Sequence, residues 1–425
     1  MARLLYSALF YAAQPLVWLR LLWRGRRQPE YRQHVGERYG FYSPRPSGPL
    51  VWLHAVSVGE TRAAEPLVEA ILRDYPDHLL LLTHMTPTGR ETGRMYVERH
   101  PGRVLQAYLP YDLPDAAARF LDHFRPVLGI FMETEIWPNL IVAAQRRKVP
   151  TALVNARLSE KSRRGYERFR AVINPTLRAL NLVAAQTGDD AARLASVGAA
   201  APAITGNLKF DVTPDPARLD RGTRWRAEIG ARPVWLAAST RDGEEALILD
   251  ALSRVDIPGL LLILVPRHPQ RFEEVAGLAR ARGLSMKRRS LEEFPTLDTA
   301  IWLGDSMGEM ASYYAAADIA LIGGSLLPFG GQNLIEAAAC ACPVLVGPHT
   351  FNFAQAASDA LSCGAARLVP DAGALPEVLG EILRNPAQWI AMKEKAIAFS
   401  HAHQGATERT MALLAPLIAG APSED

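Results

Sequence analysis

The sequence has 425 residues, which at about 150 residues per domain predicts two or three domains. Hydrophobic residues make up 49% and charged residues 21%, a composition that is typical of a folded globular protein and excludes a disordered chain. The formal net charge of +3 is too small to indicate a nucleic-acid partner. Three cysteines are too few for a disulfide framework and indicate a reducing compartment.

The N-terminus differs from the rest of the chain in charge. Residues 1–40 carry a net charge of +5, and the remaining 385 residues carry −2. Sixteen uncharged residues, 4–19, are followed by Arg20, Arg24, Arg26 and Arg27. A helix of that length spans about 24 Å, less than a bilayer core of about 30 Å. This pattern favours residues 1–27 as a membrane anchor that spans or lies on an anionic surface, and the alternative is a core helix of a soluble domain.

The rest of the chain alternates short apolar runs with helical periods. The runs predict buried parallel strands at 51–56, 79–84, 127–132, 151–156, 181–186, 234–239, 260–266, 300–304, 319–324 and 342–347. The stretches between them predict helices, among them 60–74, 138–147, 243–254, 269–282, 306–316, 332–341 and 374–385.

This alternation predicts an α/β protein with two doubly wound βαβ domains. We place them at 28–210 and 211–425, with a join near 206–224 that contains Pro214 and Pro216. The last helix is expected either to stay with the second domain or to pack back on the first. Such a pair is expected to bind its ligand in a cleft between the strand ends of the two domains.

The first predicted strand is followed by Ser57, Gly59 and Glu60. We expect the glycine to bend the chain and the following helix to offer N–H groups to an anion. Glu60 is either a base or a glutamate that complements the helix dipole. The spacing alone favours the dipole role.

Two further stretches carry charged candidates. Glu133 and Glu135 follow the strand at 127–132. We expect these two carboxylates to point to opposite faces of the strand end, so that at most one enters a site, and the alternative is a pair of surface carboxylates on a loop. Lys209 ends the first domain, where it either reaches a phosphate or is a solvated linker lysine.

The second domain places phosphate-binding features at four strand ends. They are Ser239, Arg267, the glycine pair that ends at Gly324, and the glycine-rich turn before a helix that carries Glu336. Together they favour nucleotide binding. Neither a Gly-x-Gly-x-x-Gly nor a P-loop motif occurs, and no Asp-x-Asp metal motif is obvious.

Several longer strings are more specific. They are HAVSVGE (54–60), METEIWPN (132–139), NARLS (155–159), GNLKFD (206–211), VPRHP (265–269) and GPHTFNF (347–353). In this order they resemble the bacterial 3-deoxy-D-manno-octulosonic acid (Kdo) transferases. The resemblance extends from the N-terminus, through GERYG (36–40), to about residue 400.

The resemblance implies a GT-B glycosyltransferase at the cytoplasmic face of the bacterial inner membrane, acting in lipopolysaccharide biosynthesis. The implied donor is CMP-Kdo, and the implied acceptor is the lipid A precursor, lipid IVA. No cofactor, metal or nucleic acid is implied. Direct in-line displacement would invert the anomeric centre.

The resemblance also assigns roles to residues. Glu60 matches the general base, and Glu133 and Lys209 match groups that stabilise the transition state. The CMP-binding matches are Pro266, Arg267, Met307, Gly308, Glu309, Asn333, Leu334, Ile335 and Glu336. Further phosphate or sugar contacts are expected from Ser57, Gly59, Ser239 and Gly324. Gln332 stands where the family often has histidine. Glutamine can donate a hydrogen bond but cannot carry a positive charge at this position.

Two other classes of function remain open on the residues. One is a different GT-B enzyme, such as a UDP-sugar transferase or a nucleotide-sugar epimerase, which donor tests with CMP-Kdo and UDP-sugars would distinguish. The other is a non-catalytic, membrane-bound nucleotide-binding subunit, for which Glu60→Ala would leave turnover unchanged.

Overall fold

A computed structural model describes residues 1–211 and 214–420. The chain forms two compact units. The first comprises the residues up to Asp211 together with the last helix, and the second extends as far as His403. Each unit contains one seven-stranded sheet whose strands are all parallel.

The elements of the first unit begin with two helices and continue as a βα alternation. Its strands are β1 (Leu50–His54), β2 (Leu79–His84), β3 (Val104–Tyr108), β4 (Leu128–Met132), β5 (Thr151–Ala156), β6 (Leu182–Ala185) and β7 (Ala203–Ile204). Its helices are α1 (Ala2–Ala12), α2 (Gln14–Arg27), α3 (Val58–Ala63), α4 (Glu65–Asp74), α5 (Pro87–Arg99), α6 (Pro114–Phe124), α7 (Pro138–Arg146), α8 (Glu160–Arg168), α9 (Arg170–Arg178) and α10 (Gly188–Ser196). The spatial order of the strands is β3-β2-β1-β4-β5-β6-β7.

The second unit repeats this plan. Its strands are β8 (Val234–Thr240), β9 (Leu261–Pro266), β10 (Met286–Arg288), β11 (Ile301–Leu303), β12 (Ile319–Ile322), β13 (Val344–Val346) and β14 (Ala366–Leu368), in the spatial order β10-β11-β9-β8-β12-β13-β14. Its helices are α11 (Pro216–Ile229), α12 (Glu244–Leu252), α13 (Phe272–Ala281), α14 (Met310–Ala316), α15 (Ile335–Ala339), α16 (Ala354–Cys363), α17 (Leu375–Leu383) and α18 (Pro386–His403). The last helix of the chain, α19 (Ala406–Ala419), belongs to the first unit.

All ten predicted strands are present, and four more complete the sheets. The strands that the apolar runs did not reveal are β3, β7, β10 and β14, which lie at the four sheet edges. Edge strands are covered less completely, so their sequences lack a continuous apolar run. In β10, for example, all three residues are only half-buried.

Both faces of the first sheet are buried. Along β1, Val51 and Leu53 enter the apolar cluster on one face, and Leu50 and Trp52 enter the cluster on the other. All four side chains are 0% exposed. This two-sided burial explains why the strand reads as a continuous apolar run and supports its position at the centre of the sheet.

The carboxylate of Asp211 caps the start of the last helix of the chain. Asp211 Oδ1 accepts the N–H groups of Gly405 at 2.6 Å and Ala406 at 3.2 Å, and Oδ2 accepts that of Thr407. These are the otherwise unbonded N–H groups at the start of α19, where a carboxylate also complements the helix dipole. The apolar side of α19, including Leu414 and Ile418, enters the same cluster as α4.

The join between the units is shorter than predicted. The first unit ends at Asp211, and helix α11 already begins at Pro216, so residues 216–224 are helical and not part of a linker. Asp215 precedes the helix, and its carboxylate accepts the N–H of Ala217 at 3.0 Å. Proline at the first helical position is favourable because its missing N–H would be unbonded there.

The N-terminal segment consists of two helices that meet at Ala13. Pro15 lies in the first turn of α2, where it needs no hydrogen-bond donor, and the apolar run is divided into two helices beside it. Within the described residues, no helix combines the length and apolar character needed to cross a bilayer.

Helix α1 is attached to the first unit through polar contacts. Tyr6 Oη donates to Asp112 Oδ2 at 3.0 Å, and Ser7 Oγ donates to Asn139 Oδ1 at 3.0 Å. The buried Asp112 carboxylate also accepts the N–H groups of Asn139 and Leu140 at 3.0 and 2.9 Å, which caps the start of α7. Residues 1–27 were predicted to form a membrane anchor. Deleting α1 would remove the hydroxyl of Tyr6 from Asp112 and that of Ser7 from Asn139.

Candidate active site

The carboxyl ends of the strands in the first unit bring together charged side chains from four stretches of sequence. Glu60 follows β1, Glu133 follows β4, Arg157 follows β5 and Lys209 follows β7. β1 and β4 are neighbours at the point where the strand order reverses. In open parallel sheets, ligands bind in the crevice at this point.

Glu60 lies in the first turn of α3. Its carboxylate accepts the N–H of Val56 at 2.8 Å and the hydroxyl of Ser57 at 3.1 Å. Burial raises the pKa of Glu60, the N–H of Val56 opposes this, and repulsion from Glu133 adds to it. The carboxylate therefore completes the start of the helix and, with its raised pKa, is also suited to accept a proton.

The start of α3 differs from the predicted anion site. Gly59 is inside the helix and does not bend the chain. Ser57 is the capping residue, and its Oγ accepts the N–H of Glu60 at 3.4 Å. A Cβ on Gly59 would meet only this Oγ within 4 Å, at 3.9 Å. The N–H groups of Val56 and Glu60 are therefore already bonded within the protein.

Glu133 is held between two cations. The residue is 5% exposed, its Oε1 lies 3.2 Å from Nζ of Lys209, and its Oε2 lies 3.0 Å from Nε of Arg157. Its φ angle of 56° lies in the left-handed region, which is unusual for a residue with a side chain. Backbone conformations of this kind cluster at functional sites.

Glu135 follows the left-handed backbone conformation of Glu133 by two residues. We expected at most one of the two carboxylates to enter the site, but both interact with Glu60. Strand geometry ends at Met132, so the expectation from strand alternation does not apply beyond it. Burial, with repulsion from Glu60 and Glu133, raises the pKa of Glu135 to about 7.

Lys209 is positioned by its neighbours in sequence and space. It lies in a short 3₁₀ turn, Leu208–Phe210, where its N–H is bonded to Asn207 Oδ1 at 3.0 Å. The N–H of Leu208 is bonded to Oδ1 of the buried Asn155 at 3.0 Å. Lys209 is therefore part of an ordered turn and not a solvated linker lysine.

Arg157, Glu135 and His54 received no role from the sequence. Arg157 directly follows β5, and a cation after a buried strand was the available signal. Only one of Glu133 and Glu135 was expected to enter the site, and Glu135 was assigned no role. His54 lies inside a buried strand, where no sequence feature indicates a function. Among the described residues, no group of three or more His, Cys, Asp or Glu side chains could hold a metal ion.

The predicted nucleotide-binding segments follow strand ends in the second unit. Pro266 ends β9, and the half-buried Arg267 donates its backbone N–H to the carbonyl of Thr240 at 3.0 Å. Asn333 Nδ2 donates to Glu336 Oε1 at 3.1 Å. The side chains of Leu334 and Ile335 are each 1% exposed, so only their backbone could contact a ligand.

The segment that contains Met307, Gly308 and Glu309 lies before α14. Met307 is 64% exposed, and Gly308 adopts a φ angle of 78°. Glu309 accepts from Arg221 at 2.6 Å, from Arg289 at 3.0 Å and from the hydroxyl of Ser306 at 2.6 Å. These bonds hold the pKa of Glu309 below its usual value in spite of burial, so the carboxylate is charged at neutral pH.

Two phosphate contacts were expected in the second unit, from Gly324 and Ser239. A buried carboxylate binds the amide of Gly324. Glu244, which is 0% exposed, accepts the N–H groups of Gly324 at 2.6 Å and Leu326 at 3.0 Å. The amide of Gly324 is therefore not available to a phosphate. Ser239 does not cap α12, because Gly243 directly precedes that helix, and Ser239 Oγ contacts Met310 Sδ at 3.9 Å.

Comparisons with known proteins agree with these observations. Residues 33–212 match a family described as 3-deoxy-D-manno-octulosonic-acid transferase (kdotransferase). A 3-deoxy-D-manno-octulosonic acid transferase of Bordetella pertussis is 46% identical over 97% of this chain and 98% of its own. The protein of the same name from Haemophilus influenzae is 40% identical over 84% of each chain.

The fold is likewise shared with solved structures. A glycosyltransferase from Rickettsia africae matches with a TM-score of 0.57 at 13% identity, covering 89% of this chain and 100% of that one. At this identity the likeness shows the fold alone. The fold is that of the GT-B glycosyltransferases, as predicted, with two Rossmann-like units.

Proposed function

Because this chain belongs to the family of 3-deoxy-D-manno-octulosonic acid (Kdo) transferases, we propose that it transfers Kdo from CMP-Kdo to the lipid A precursor, lipid IVA, in lipopolysaccharide biosynthesis. The observation that carries this proposal is the group formed by Glu60, Glu133 and Lys209 at the carboxyl edge of the first sheet. We propose an inverting reaction that needs no metal or other cofactor.

Glu60 is the proposed general base. The acceptor hydroxyl must lose its proton as it attacks the anomeric carbon, and a carboxylate with a raised pKa accepts that proton more readily. A single displacement by this hydroxyl places the new bond opposite the leaving phosphate. The configuration at the anomeric carbon is therefore inverted.

Positive charge on the protein replaces the charge that a metal would supply. The donor sugar is an acid and the leaving group is a nucleotide phosphate, so both are anionic. Lys209 and Arg157 supply cations in the first unit, and Arg267 supplies one after β9 in the second. Fixed cations of this kind stabilise the negative charge that develops in the transition state.

The product assay tests this function directly. We expect CMP-Kdo and tetraacylated lipid IVA to give an acceptor whose mass increases by whole Kdo units, with free CMP as the second product. UDP-sugars should give no transfer. Transfer from a UDP-sugar, or no transfer from CMP-Kdo by folded protein, would contradict the proposal, and the mass also gives the number of Kdo units added.

A binding experiment tests the donor side. Replacing Arg267 by alanine should weaken CMP binding by about 1.5–3 kcal/mol, the value of a charge-assisted contact. Isothermal titration calorimetry measures the change, and Arg254→Ala, in the exposed turn after α12, is the matched control. Unchanged CMP affinity in folded Arg267→Ala protein would remove this residue from the donor site.

We propose that the protein lies on the cytoplasmic face of the inner membrane. Helices α1 and α2 carry an N-terminal apolar face, whose members are 61–69% exposed: Leu4, Leu5, Leu9, Leu16 and Leu19. The polar contacts of Tyr6 and Ser7 hold α1 against the first unit. An amphipathic helix followed by arginines is typical of a segment that lies in an anionic membrane surface.

Vesicle binding tests this location. Replacing Leu4, Leu5 and Leu9 by serine removes apolar area that would enter the bilayer, so we expect binding to anionic vesicles to fall by about tenfold or more. Sedimentation with vesicles measures the bound fraction. The matched control replaces three exposed apolar residues of the second unit, Leu291, Leu297 and Ile390. Equal losses in both variants would contradict a membrane role for the N-terminal apolar face.

A further inference from the structure

The three carboxylates of the candidate active site share too few cations for all of them to be charged. Both nearby cations, Lys209 and Arg157, contact Glu133. Within the described part of the chain, neither Glu60 nor Glu135 has an arginine or lysine within ion-pair distance. Lys209 also acts on Glu60 from beyond this distance, but burial outweighs it and the pKa of Glu60 is raised. Two buried carboxylates that repel each other and have no cation in direct contact do not both ionise readily, so the pair retains one proton near neutral pH.

Hydrogen bonding indicates that Glu60 is the charged member of the pair. Its two carboxylate oxygens accept one N–H, from Val56 at 2.8 Å, and one O–H, from Ser57 at 3.1 Å. Donors of this kind stabilise the ionised form of a carboxyl group.

Glu135 faces a different environment. Its Oε2 accepts the indole N–H of Trp137 at 3.0 Å and lies 3.9 Å from Nε2 of His54. This nitrogen is buried and has no hydrogen-bond partner among the described residues. The protonation of His54 therefore decides whether Glu135 faces a donor or an acceptor.

The other side of the His54 ring determines its tautomer. Nδ1 lies 3.1 Å from the carbonyl oxygen of Thr83 and 2.9 Å from its hydroxyl. A carbonyl oxygen can only accept, so a hydrogen on Nδ1 satisfies both contacts, whereas a bare Nδ1 would face the carbonyl lone pair to lone pair. Burial lowers the pKa of His54 to about 3, so the ring is neutral and Nε2 carries only its lone pair.

The remaining titratable groups around Glu135 supply neither a cation nor another donor. Tyr166 on α8 donates its hydroxyl to the carbonyl of Thr134 at 3.1 Å. His84, which interacts with His54, is buried, and burial lowers its pKa to about 4, so it is neutral. An ionised Glu135 would therefore meet the lone pair of His54. A protonated Glu135 could donate to that lone pair once a small side-chain movement shortens the 3.9 Å between Oε2 and Nε2.

We propose that Glu135 holds the shared proton as a neutral carboxylic acid directed at Nε2 of His54, and that it thereby keeps Glu60 ionised as the base. Glu135 is then a positioning residue that acts through Glu60, and its effect on catalysis rests on the proposed function of Glu60. The pKa of Glu135, raised to about 7 chiefly by burial, agrees with this assignment.

Infrared spectroscopy tests the location of the proton without any assay of activity. The wild-type protein should show the C=O stretch of a protonated carboxylic acid at neutral pH, and this band should disappear at alkaline pH. Other buried carboxyl groups with raised pKa, such as Glu244 and Asp112, can add to this band. Glu135→Gln should therefore lose the part that Glu135 contributes, and Glu91→Gln, whose carboxylate is 65% exposed, should retain the whole band. No such band in the wild type, or an unchanged band in Glu135→Gln, would overturn the proposal.

The pH dependence of turnover tests the effect on Glu60. In the wild type we expect an inflection at acid pH as Glu60 gains a proton. Glu135→Gln should keep this inflection at the same pH, because its amide is neutral like the carboxylic acid that it replaces. If the acid inflection instead moves to lower pH, an ionised Glu135 raises the pKa of Glu60 in the wild type, and the proposal is wrong.

Nuclear magnetic resonance of the wild type keeps the proposal testable if Glu135→Gln does not fold. The nitrogen-15 shifts of His54 distinguish a hydrogen on Nδ1 from one on Nε2. We expect the hydrogen on Nδ1. A hydrogen on Nε2 would donate towards Glu135 and favour its ionised form, which would overturn the proposal whatever the role of Glu60.

Discussion

Replacing Glu60 by glutamine is expected to lower kcat by about 10²–10⁴, the usual contribution of a general base. The amide keeps the size of the side chain, and its oxygen can still accept the N–H of Val56, which the carboxylate accepts at 2.8 Å. The start of α3 should therefore be retained. CMP affinity should change little, because Glu60 lies in the first unit and the proposed CMP-binding segments follow strands of the second.

Steady-state kinetics with CMP-Kdo and lipid IVA, combined with calorimetry of CMP, measures both parts of this result. Glu69→Gln is a suitable control, since its carboxylate is exposed on the neighbouring helix α4. The thermal midpoint of Glu60→Gln should not fall, because the change removes a charge whose burial is unfavourable. Near-normal turnover would transfer the role of base to Glu133 or Glu135.

The pH profile of the wild type follows from the same group. A base acts in its unprotonated form, so activity is lost as pH falls through the pKa of Glu60. Because burial raises that pKa, the loss should begin at a higher pH than for an exposed glutamate. An acid inflection at or below the usual pKa of glutamate would contradict this environment.

The central strands could be predicted because they depend on local sequence, whereas the roles of Glu60, Glu133 and Lys209 were predicted from the family resemblance. Strands that are buried on both faces leave continuous apolar runs, and parallel strands place whatever follows them at one edge of the sheet. This is enough to bring Glu60, Glu133 and Lys209 to a common edge from positions far apart in the chain.

Other features depend on backbone conformation that residue types do not reveal. Glu133 and Glu135 were expected on opposite faces, but both interact with Glu60. The regular strand ends at Met132, and Glu133 has a positive φ angle. The amide of Gly324 was expected to meet a phosphate, but the buried carboxylate of Glu244, from another stretch of the chain, already binds it. In both cases a tertiary contact overrides the expectation from spacing.

The N-terminus shows the same limit in a different form. Its apolar run predicted an anchor, and the exposed leucines of α1 agree with the pattern. No sequence pattern indicated that Tyr6 would donate to a carboxylate more than a hundred residues away, at Asp112. Since Asp112 also caps α7, the helix that follows the loop of Glu133 and Glu135, α1 contributes to the environment of the site.

Replacing Lys209 by methionine is expected to lower kcat by about 10²–10³, the effect of removing one fixed electrostatic contact to a transition state. Lys209 Nζ lies 3.2 Å from Glu133 Oε1, and the Glu133 side chain is only 7% exposed. Methionine has a similar length and no charge. The backbone bond between the Lys209 N–H and Asn207 does not depend on the side chain, so the turn should remain.

Arg157→Met is the matched control, because Arg157 contacts the same carboxylate at 3.0 Å through the other oxygen. Its side chain is 58% exposed, compared with 29% for Lys209, so solvent screens its charge more strongly. We therefore expect a clearly smaller loss of kcat in Arg157→Met, with both variants folded by circular dichroism. Equal losses would mean that the two cations only neutralise Glu133, and a transition-state role specific to Lys209 would then be wrong.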